Sequence, residues 1–339
     1  MDATAAIVPL DAFERRLVDG FQRDFPLDER PYARIAERLA ASERDVIDAV
    51  ARRLADGVVS RVGAVFRPGA IGVSTLAAMR VPPARLAEVA RAVARHGAVN
   101  HNYAREHEVN LWFVATAPDA GALDRALDEI ERVARCAVMR LPMLRDYWID
   151  LGFDLDGRDL RGASARRLPA PVTPITLDER DARLVAALED GLAPTPRPYD
   201  DLAQRAGVAP AFARVRLAAW LNRGAIARFG LVVRHRPLGW TANAMCVWDV
   251  PDERADGLGA ALAREASVTL AYRRGRAEGW RYNLYAMIHG RDRGIVEARR
   301  NAIAAALGLD DHPHTVLFST VAYKQRGARY VERSGRVPA

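Results

Sequence analysis

The chain repeats itself, and this repeat restricts its possible folds more than any other feature. A shift of 167 residues places three landmarks of the first half on the second: Leu10-Asp11 on Leu177-Asp178, Pro31-Tyr32 on Pro198-Tyr199, and Gly72 on Gly239. The shift then grows to 169 at Tyr103 and Tyr272 and to 173 at Asn110 and Asn283. Self-similarity over such a length indicates an internal duplication whose second copy carries small insertions.

Each copy opens with a segment that predicts three helices and a short strand. In the first copy, residues 10–25, 32–40 and 43–56 have the apolar spacing of helices, with Ser42 as an N-cap. Gly57 ends the third helix, and the alternating residues that follow predict a hairpin wing. Three helices and a wing are typical of a winged helix-turn-helix domain.

The rest of each copy alternates between strand and helix. The first copy predicts strand 73–80, helix 83–95, strands 98–104 and 109–116, helix 119–134 and a last strand within 136–148. The second repeats this order with strand 241–249, helix 252–265, strands 268–274 and 281–289, helix 293–306 and strand 314–323. This β-α-β-β-α-β order is ferredoxin-like.

The predicted fold class is therefore α+β, a tandem duplication of a winged helix-turn-helix plus a ferredoxin-like domain. The predicted domains are a first winged helix at 10–68, a first ferredoxin-like domain at 69–156, a linker at 157–174, a second winged helix at 175–236 and a second ferredoxin-like domain at 237–330. The linker is rich in Gly, Arg and Pro and has no apolar period, which favours a connecting segment.

Charge and cysteine content limit the partners and the compartment. The 339 residues carry a net charge of +7, which suits a polyanion, either nucleic acid or a substrate with many carboxylates. Cys136 and Cys246 lie in apolar surroundings and form no CxxC pair, so we expect reduced thiols and no structural zinc site. Neither a signal peptide nor an apolar run of about 20 residues is present, which predicts a cytoplasmic protein without a membrane partner.

Two segments carry a more specific resemblance. Residues 100–114 read NHNYAREHEVNLWFV, and residues 279–290 read GWRYNLYAMIHG. A winged helix followed by a ferredoxin-like domain resembles the Lrp/AsnC-type regulators. Within that superfamily, these two segments resemble the siroheme decarboxylases of the heme d1 and alternative heme pathways, which are built from two paralogous Lrp/AsnC-like halves that are sometimes fused. The resemblance covers about residues 10–330.

The resemblance implies a carboxy-lyase that removes CO2 from two acetate side chains of siroheme, giving didecarboxysiroheme. It implies no organic cofactor, because the tetrapyrrole itself can accept the electrons, and iron would enter only as part of the substrate. It also implies that the two ferredoxin-like halves pair face to face within the chain. Whether paralogous subunits or a higher oligomer are needed, and which heme pathway is served, stays open.

The candidate site residues come from the two resembling segments and their surroundings. The candidate catalytic residues are His101, Tyr103 and His289, because imidazole titrates near neutrality and can deliver a proton. Strand alternation places His101 and Tyr103 on one face. The candidate substrate-binding residues, of which the arginines offer a bidentate fork to carboxylates, are Asn102, Arg105, Asn110, Trp112, Tyr272, Arg273, Arg274, Asn283 and Tyr285.

The two copies differ at one position that bears on the candidate site. The family often carries a histidine two residues before the tyrosine of its second half, whereas this chain has Leu270 there, at the place that His101 holds in the first copy. We therefore expect the copies to contribute unequally to the site.

The alternative functions are a DNA-binding regulator of the Lrp/AsnC type and a non-catalytic tetrapyrrole-binding subunit. Reading DNA requires basic or amide side chains near the start of the recognition helix. The segment 42–56 holds four acidic and three basic residues, and the segment 209–216 offers few groups that could read bases. This composition disfavours DNA binding.

Overall fold

A computed structural model describes residues 7–149, 152, 155 and 172–331. The predicted linker at 157–174 therefore lies almost entirely outside the described residues. The helices are α1 (Ala12–Gly20), α2 (Pro31–Leu39), α3 (Glu43–Ala55), α4 (Leu86–Arg95), α5 (Ala120–Ala134), α6 (Glu179–Leu188), α7 (Pro198–Ala206), α8 (Pro210–Asn222), α9 (Asp252–Arg264) and α10 (Arg293–Leu307). The strands are β1 (Val59–Phe66), β2 (Val73–Met79), β3 (Val99–Arg105), β4 (Leu111–Ala117), β5 (Met139–Ile149), β6 (Ile226–Val233), β7 (Ala242–Trp248), β8 (Val268–Arg274), β9 (Leu284–Gly290) and β10 (His314–Gln325).

The helices of the two winged-helix domains share one hydrophobic core. Capping boxes at Asp11 and Ser42 begin α1 and α3, because each side chain accepts a hydrogen bond from the backbone three residues later. The largest side chains of the shared core, including Tyr32, Tyr199 and Trp220, are fully buried and come from both copies. The two winged helices are thus one packed body rather than two separate DNA-binding heads.

The wing of each copy was wrongly predicted as a hairpin. Strand β1 of the first copy pairs antiparallel with β6 of the second, with Val62 opposite Leu231 and Gly63 opposite Gly230. Each copy supplies a single strand at this place, and a lone strand would leave its backbone N–H and C=O groups without partners. Pairing between copies satisfies them, and the resulting two-stranded ribbon ties the copies together.

Eight of the described strands close a barrel in the order β10-β3-β4-β2-β5-β8-β9-β7. Within it, β3-β4-β2-β5 and β8-β9-β7-β10 are the two ferredoxin-like sheets, so the predicted fold class is confirmed. The halves do pair within the chain, but through their edges, because β10 pairs with β3 and β5 pairs with β8. Their inner faces consequently surround an interior instead of packing flat against each other.

Apolar side chains pack on both the outer and the inner face of the barrel. Its outer faces are covered by α4 and α5 in the first copy and by α9 and α10 in the second, each over its own apolar cluster. Its interior holds side chains from both copies, among them Met245 and Tyr272. Trp112 and Trp280 meet there with ring centroids 4.9 Å apart, so aromatic side chains occupy part of the interior.

Candidate active site

A cavity of about 330 Å³ lies between the barrel interior and the β1–β6 ribbon. All eight barrel strands contribute to its wall, and so do residues 326–328 and Tyr330, which follow the last strand. Its volume is that of a small-molecule site. Because both copies and the ribbon between them form the wall, the cavity exists only when the duplication is complete.

The wall of this cavity is strongly basic. Among the described lining residues there is one carboxylate, Glu189, against six arginines: Arg61, Arg105, Arg228, Arg234, Arg274 and Arg326. A cavity with this charge balance attracts anions and offers bidentate donors to carboxylates. The arrangement fits a ligand that bears several carboxylate groups.

Arg105 and Arg274 form a pseudo-symmetric pair of cations at the cavity wall. Nη1 of Arg105 donates to the carbonyl oxygen of Leu317, and Nη1 of Arg274 donates to that of Leu141, each at 2.8 Å. The Nε atom of each is buried and has no hydrogen-bond partner among the described residues. Burial lowers the pKa of Arg105 to about 10, so Arg105 stays charged at neutral pH, and burial also lowers the pKa of Arg274.

His101 projects into the cavity from β3, next to a β-bulge between Val99 and His101. Its Nδ1 atom lies 2.8 Å from Oδ1 of Asn100, and its ring stacks on Tyr103 with centroids 6.3 Å apart. This agrees with the prediction that His101 and Tyr103 share a face. Burial, and to a smaller extent the charge of Arg61, lower the pKa of His101 to about 4.

His289 lines the cavity from β9 in the second copy and is hydrogen-bonded on both sides. Its Nε2 atom lies 2.7 Å from Nδ2 of Asn243, and its Nδ1 atom lies 2.8 Å from Oγ1 of Thr269. The ring of His235 packs edge-on against it with centroids 4.9 Å apart. Burial, followed by the field of His235 and nearby arginines, holds the pKa of His289 well below its usual range.

The structure thus brings His101, Tyr103, Arg105, Trp112, Tyr272, Arg274 and His289 together around one cavity. It places the five other candidates elsewhere, and two of them face the helices. Nδ2 of Asn102 donates to the carbonyl oxygen of Ala90 on the outer face of the sheet. Arg273 forms ion pairs with Asp252 and Asp256. Asn102 and Arg273 therefore do not line the site, because alternation along a strand turns them to the face that the helices cover.

Asn110 and Asn283, also predicted to bind substrate, hold the backbone instead. Asn110 bonds both the N–H and the carbonyl oxygen of Val81, and Asn283 does the same with Val250. These matching contacts are structural and explain why the Asn-Leu pair occurs in both copies.

Tyr285 is the fifth candidate that lies away from the cavity wall. It is buried in the barrel interior, where its hydroxyl accepts a hydrogen bond from the indole N–H of Trp280 at 2.7 Å. It stacks on Tyr272 with centroids 5.4 Å apart, so it supports a cavity residue from behind.

Several cavity residues were missed by the sequence prediction. Arg61, Arg228 and Arg234 reach the cavity from the ribbon or its end, and His235 follows directly. Their motif signal is weak, since arginine is abundant throughout the chain and a wing is normally solvent-exposed. Only the pairing of β1 with β6 places them over the barrel.

Three further properties of the described residues limit what the protein can bind. No group of three His, Cys, Asp or Glu side chains that could hold a metal ion occurs within residues 7–149 and 172–331. Cys246 is buried and Cys136 half-buried, both as free thiols. Over the same part of the chain, no helix has the length and apolar character needed to cross a membrane.

Acidification is expected to destabilise the ligand-free protein. The pKa values of His101 and His235 are lowered to about 4, whereas an unfolded histidine titrates near 6.5. The unfolded chain therefore binds more protons between about pH 4 and 6.5, and stability is lost as the pH falls through that window. The slope is at most about 1.4 kcal/mol per pH unit for each histidine. Melting curves at pH 7, 6 and 5 measure this, and H101Q should flatten the dependence; an unchanged slope in H101Q would contradict it.

The fold and the cavity together define a class: a two-copy Lrp/AsnC-like protein whose ferredoxin-like domains enclose a basic ligand site. Residues 70–147 and 237–324 match the AsnC-like ligand binding domain family, and residues 14–59 match the siroheme decarboxylase NirDL-like HTH domain family. The chain is 44% identical to the siroheme decarboxylase NirDL subunit of Paracoccus denitrificans, over 95% of this chain and 98% of that protein. It therefore belongs to the siroheme decarboxylase NirDL family.

Other relatives agree with this assignment. The siroheme decarboxylase of Hydrogenobacter thermophilus is 29% identical over 91% of this chain and 92% of its own length. A crystal structure of the siroheme decarboxylase NirDL superposes with a TM-score of 0.69 at 25% identity, covering 95% of both chains. A second, in co-complex with an iron-uroporphyrin III analogue, gives 0.68 at 26% identity over 94% of both chains.

Proposed function

We propose that this chain is a siroheme decarboxylase that removes CO2 from two acetate side chains of siroheme to give didecarboxysiroheme. The observation that carries the proposal is the basic cavity inside the barrel, whose wall combines six arginines with three histidines. A related structure holds an iron-uroporphyrin III analogue. Siroheme shares with that ligand an iron tetrapyrrole core and a rim of carboxylates, which is the chemistry that this wall can bind.

Substrate binding rests on the paired cations of the barrel. Arg105 and Arg274 lie at equivalent positions of the two copies. Each donates a hydrogen bond to a backbone carbonyl oxygen of the other copy. Each retains a buried Nε–H group that a carboxylate would satisfy. Tyr103 and Tyr272 lie beside them, with Arg274 4.6 Å from the ring centroid of Tyr272, and help to orient the macrocycle.

Bond cleavage needs an electron sink and a proton. When the acetate C–C bond breaks, the electron pair passes into the tetrapyrrole, and a proton then forms the new methyl group. His101 is the proposed donor, because its ring faces the cavity and its Nδ1 atom is fixed by Asn100. Substrate carboxylates would favour its protonated form by opposing the field of Arg61.

No organic cofactor enters the proposed reaction, because the substrate supplies its own electron sink and its own iron. The required partner is siroheme. Several relatives of half the length are named as separate siroheme decarboxylase subunits, so assembly with paralogous chains is a further part of the proposal that a mass measurement of the native protein can address.

The DNA-binding alternative is disfavoured by three features of the winged helices. Helix α3 begins with Glu43 and Asp45, which would face phosphates with the wrong charge. Helix α8 has no polar side-chain cap and begins with Pro210-Ala211-Phe212. The strands that would form the wings are paired with each other and cover the cavity.

Anaerobic incubation with siroheme tests the proposal directly. The expected result is the loss of two CO2 units from siroheme, read from product masses. As a control, Arg273→Gln removes one positive charge outside the cavity, and this variant should also convert siroheme. An unchanged substrate in the presence of folded protein would refute the decarboxylase assignment, and salt-sensitive binding to a DNA operator would favour the regulator.

A further inference from the structure

The two histidines that the proposed function places in the cavity differ in their hydrogen bonds. Both ring nitrogens of His289 are engaged, one by Asn243 and one by Thr269. His101 is engaged only at Nδ1, by Asn100, and its Nε2 atom has no hydrogen-bond partner among the described residues. A ring with one nitrogen available can pass a proton to a ligand, whereas a ring held at both nitrogens must first break a hydrogen bond.

The neighbours of His289 also fix the direction of these two hydrogen bonds. Thr269 Oγ1 donates its single hydrogen to the carbonyl oxygen of Met287 at 3.1 Å, so it must accept from Nδ1–H of His289. Oδ1 of Asn243 faces Nη1 of Arg105 at 3.5 Å, a group that can only donate. The Nδ2 group of Asn243 therefore donates to Nε2 of His289. His289 is thus a neutral ring with its proton on Nδ1.

This arrangement links His289 to substrate binding rather than to proton delivery. A series of hydrogen bonds, called the relay below, begins at the Met287 carbonyl oxygen. It passes through Thr269, His289 and Asn243 and ends at the guanidinium of Arg105, which lines the cavity. Its members come from β7, β8 and β9 of the second copy, whereas Arg105 comes from β3 of the first. The relay therefore spans the junction between the copies.

The two copies also differ in sequence at the positions of these two histidines. At the offset of 169 found for the tyrosines, His101 corresponds to Leu270; at the offset of 173 found for the asparagines, His289 corresponds to Thr116. Each copy thus carries a histidine where the other does not. His101 and His289 therefore occupy non-equivalent positions in one cavity, which indicates that their roles differ.

We propose that His101 delivers the proton in both decarboxylations, and that His289, Asn243 and Thr269 are positioning residues that hold Arg105. This inference rests on the proposed function. In each step His101 acts in its imidazolium form, with Nδ1–H held by Asn100 Oδ1 and the second proton on Nε2. The C–CO2⁻ bond breaks, CO2 leaves, the electron pair passes into the tetrapyrrole, and the Nε2 proton ends on the new methyl carbon. Solvent then returns a proton to Nε2. One donor and two acetates require the tetrapyrrole to turn or to rebind between the two steps.

Replacing each histidine by glutamine, in separate variants, tests whether one proton donor or two act. With H101Q, both CO2 losses should slow by about 10²-fold or more, leaving siroheme as the main species. With H289Q, which keeps a donor and an acceptor but cannot titrate, both losses should continue with a raised KM and a kcat within about tenfold of the unmodified protein. If each variant instead stops after one CO2 loss, two donors act and the inference is wrong. H235Q belongs in the same series, and a stop after one loss there would also overturn it.

The relay has its own matched variants. Thr269→Val removes the acceptor for Nδ1–H and should raise KM by about tenfold, whereas Thr269→Ser keeps the hydroxyl and should restore most of the affinity. A purely structural role would not give this split, because it would lower stability without separating KM from kcat. Equal KM values for the two variants would contradict the relay.

A measurement without turnover keeps this inference distinct from the proposed function. In the unliganded protein labelled with ¹⁵N-histidine, His289 should appear as the neutral Nδ1–H tautomer and stay neutral as the pH falls through the usual histidine range, near 6.5, with H289Q giving the assignment. This result would support the relay even if siroheme were not converted. A signal from the Nε2–H tautomer, or titration near neutrality, would exclude it.

Discussion

Replacing Arg105 and Arg274 together by glutamine is expected to weaken binding of an iron-uroporphyrin by about 10²- to 10⁴-fold. A hydrogen bond to a charged group contributes about 1.5–3 kcal/mol, which corresponds to about 10- to 150-fold for each arginine. The side chains lie at equivalent positions of the two copies and are buried with Nε unpartnered among the described residues. Each single variant should lose about half of the effect in free energy, and titration of the Soret absorbance measures the affinities.

Arg273 provides the control for this experiment. It is the immediate neighbour of Arg274 on β8, yet it forms ion pairs with Asp252 and Asp256 outside the cavity. Arg273→Gln should therefore leave the affinity within about twofold, because its guanidinium pairs with these carboxylates and does not line the cavity. A similar loss in Arg273→Gln and Arg274→Gln would mean that charge in general, and not the cavity, binds the ligand.

Separating the copies is expected to have the second large effect. Residues 1–160 expressed alone should lose at least about 100-fold in siroheme conversion, since the chain then lacks Arg274, His289 and half of the barrel. Residues 161–339 alone should lose as much, because they lack His101 and Arg105. Both fragments present β-strand edges that the other copy covers in the intact chain, at β1–β6, β3–β10 and β5–β8.

Co-expression of the same two fragments should restore conversion. The edges are complementary and the winged helices share one core, so a one-to-one complex is expected to form. The mass of the complex and its product pattern are the measurements. Full conversion by one fragment alone would show that a cavity formed by both copies is not required.

Much of the fold was accessible from the sequence because its signals are local. The cap at Ser42 was predicted as such, and its side chain accepts the expected hydrogen bond. Strand β8 spans the residues predicted for it, Val268–Arg274. The β1–β6 ribbon was missed because strand pairing between distant segments leaves no local trace, and a single wing strand looks like half of a hairpin.

The candidate site was predicted in part for a related reason. Alternation along a strand says that Arg273 and Arg274 face opposite ways, but the sequence does not say which of them faces the interior. That choice depends on which face the helices cover. Asn110 and Asn283 were misassigned because a polar side chain that holds a buried backbone group looks, in the sequence, like one that binds a ligand.

The closure of the barrel also sets an order on folding. Strand β10 is the last element of the barrel along the chain, and it pairs both with β7 and with β3, where Ser319 lies opposite Arg105. Contacts of such long sequence separation slow folding, because a large loop must close before they form. During synthesis the first ferredoxin-like sheet must wait with two uncovered edges until the second copy has emerged. A ribosome that stops short of residue 314 would release a chain with an open sheet and no cavity.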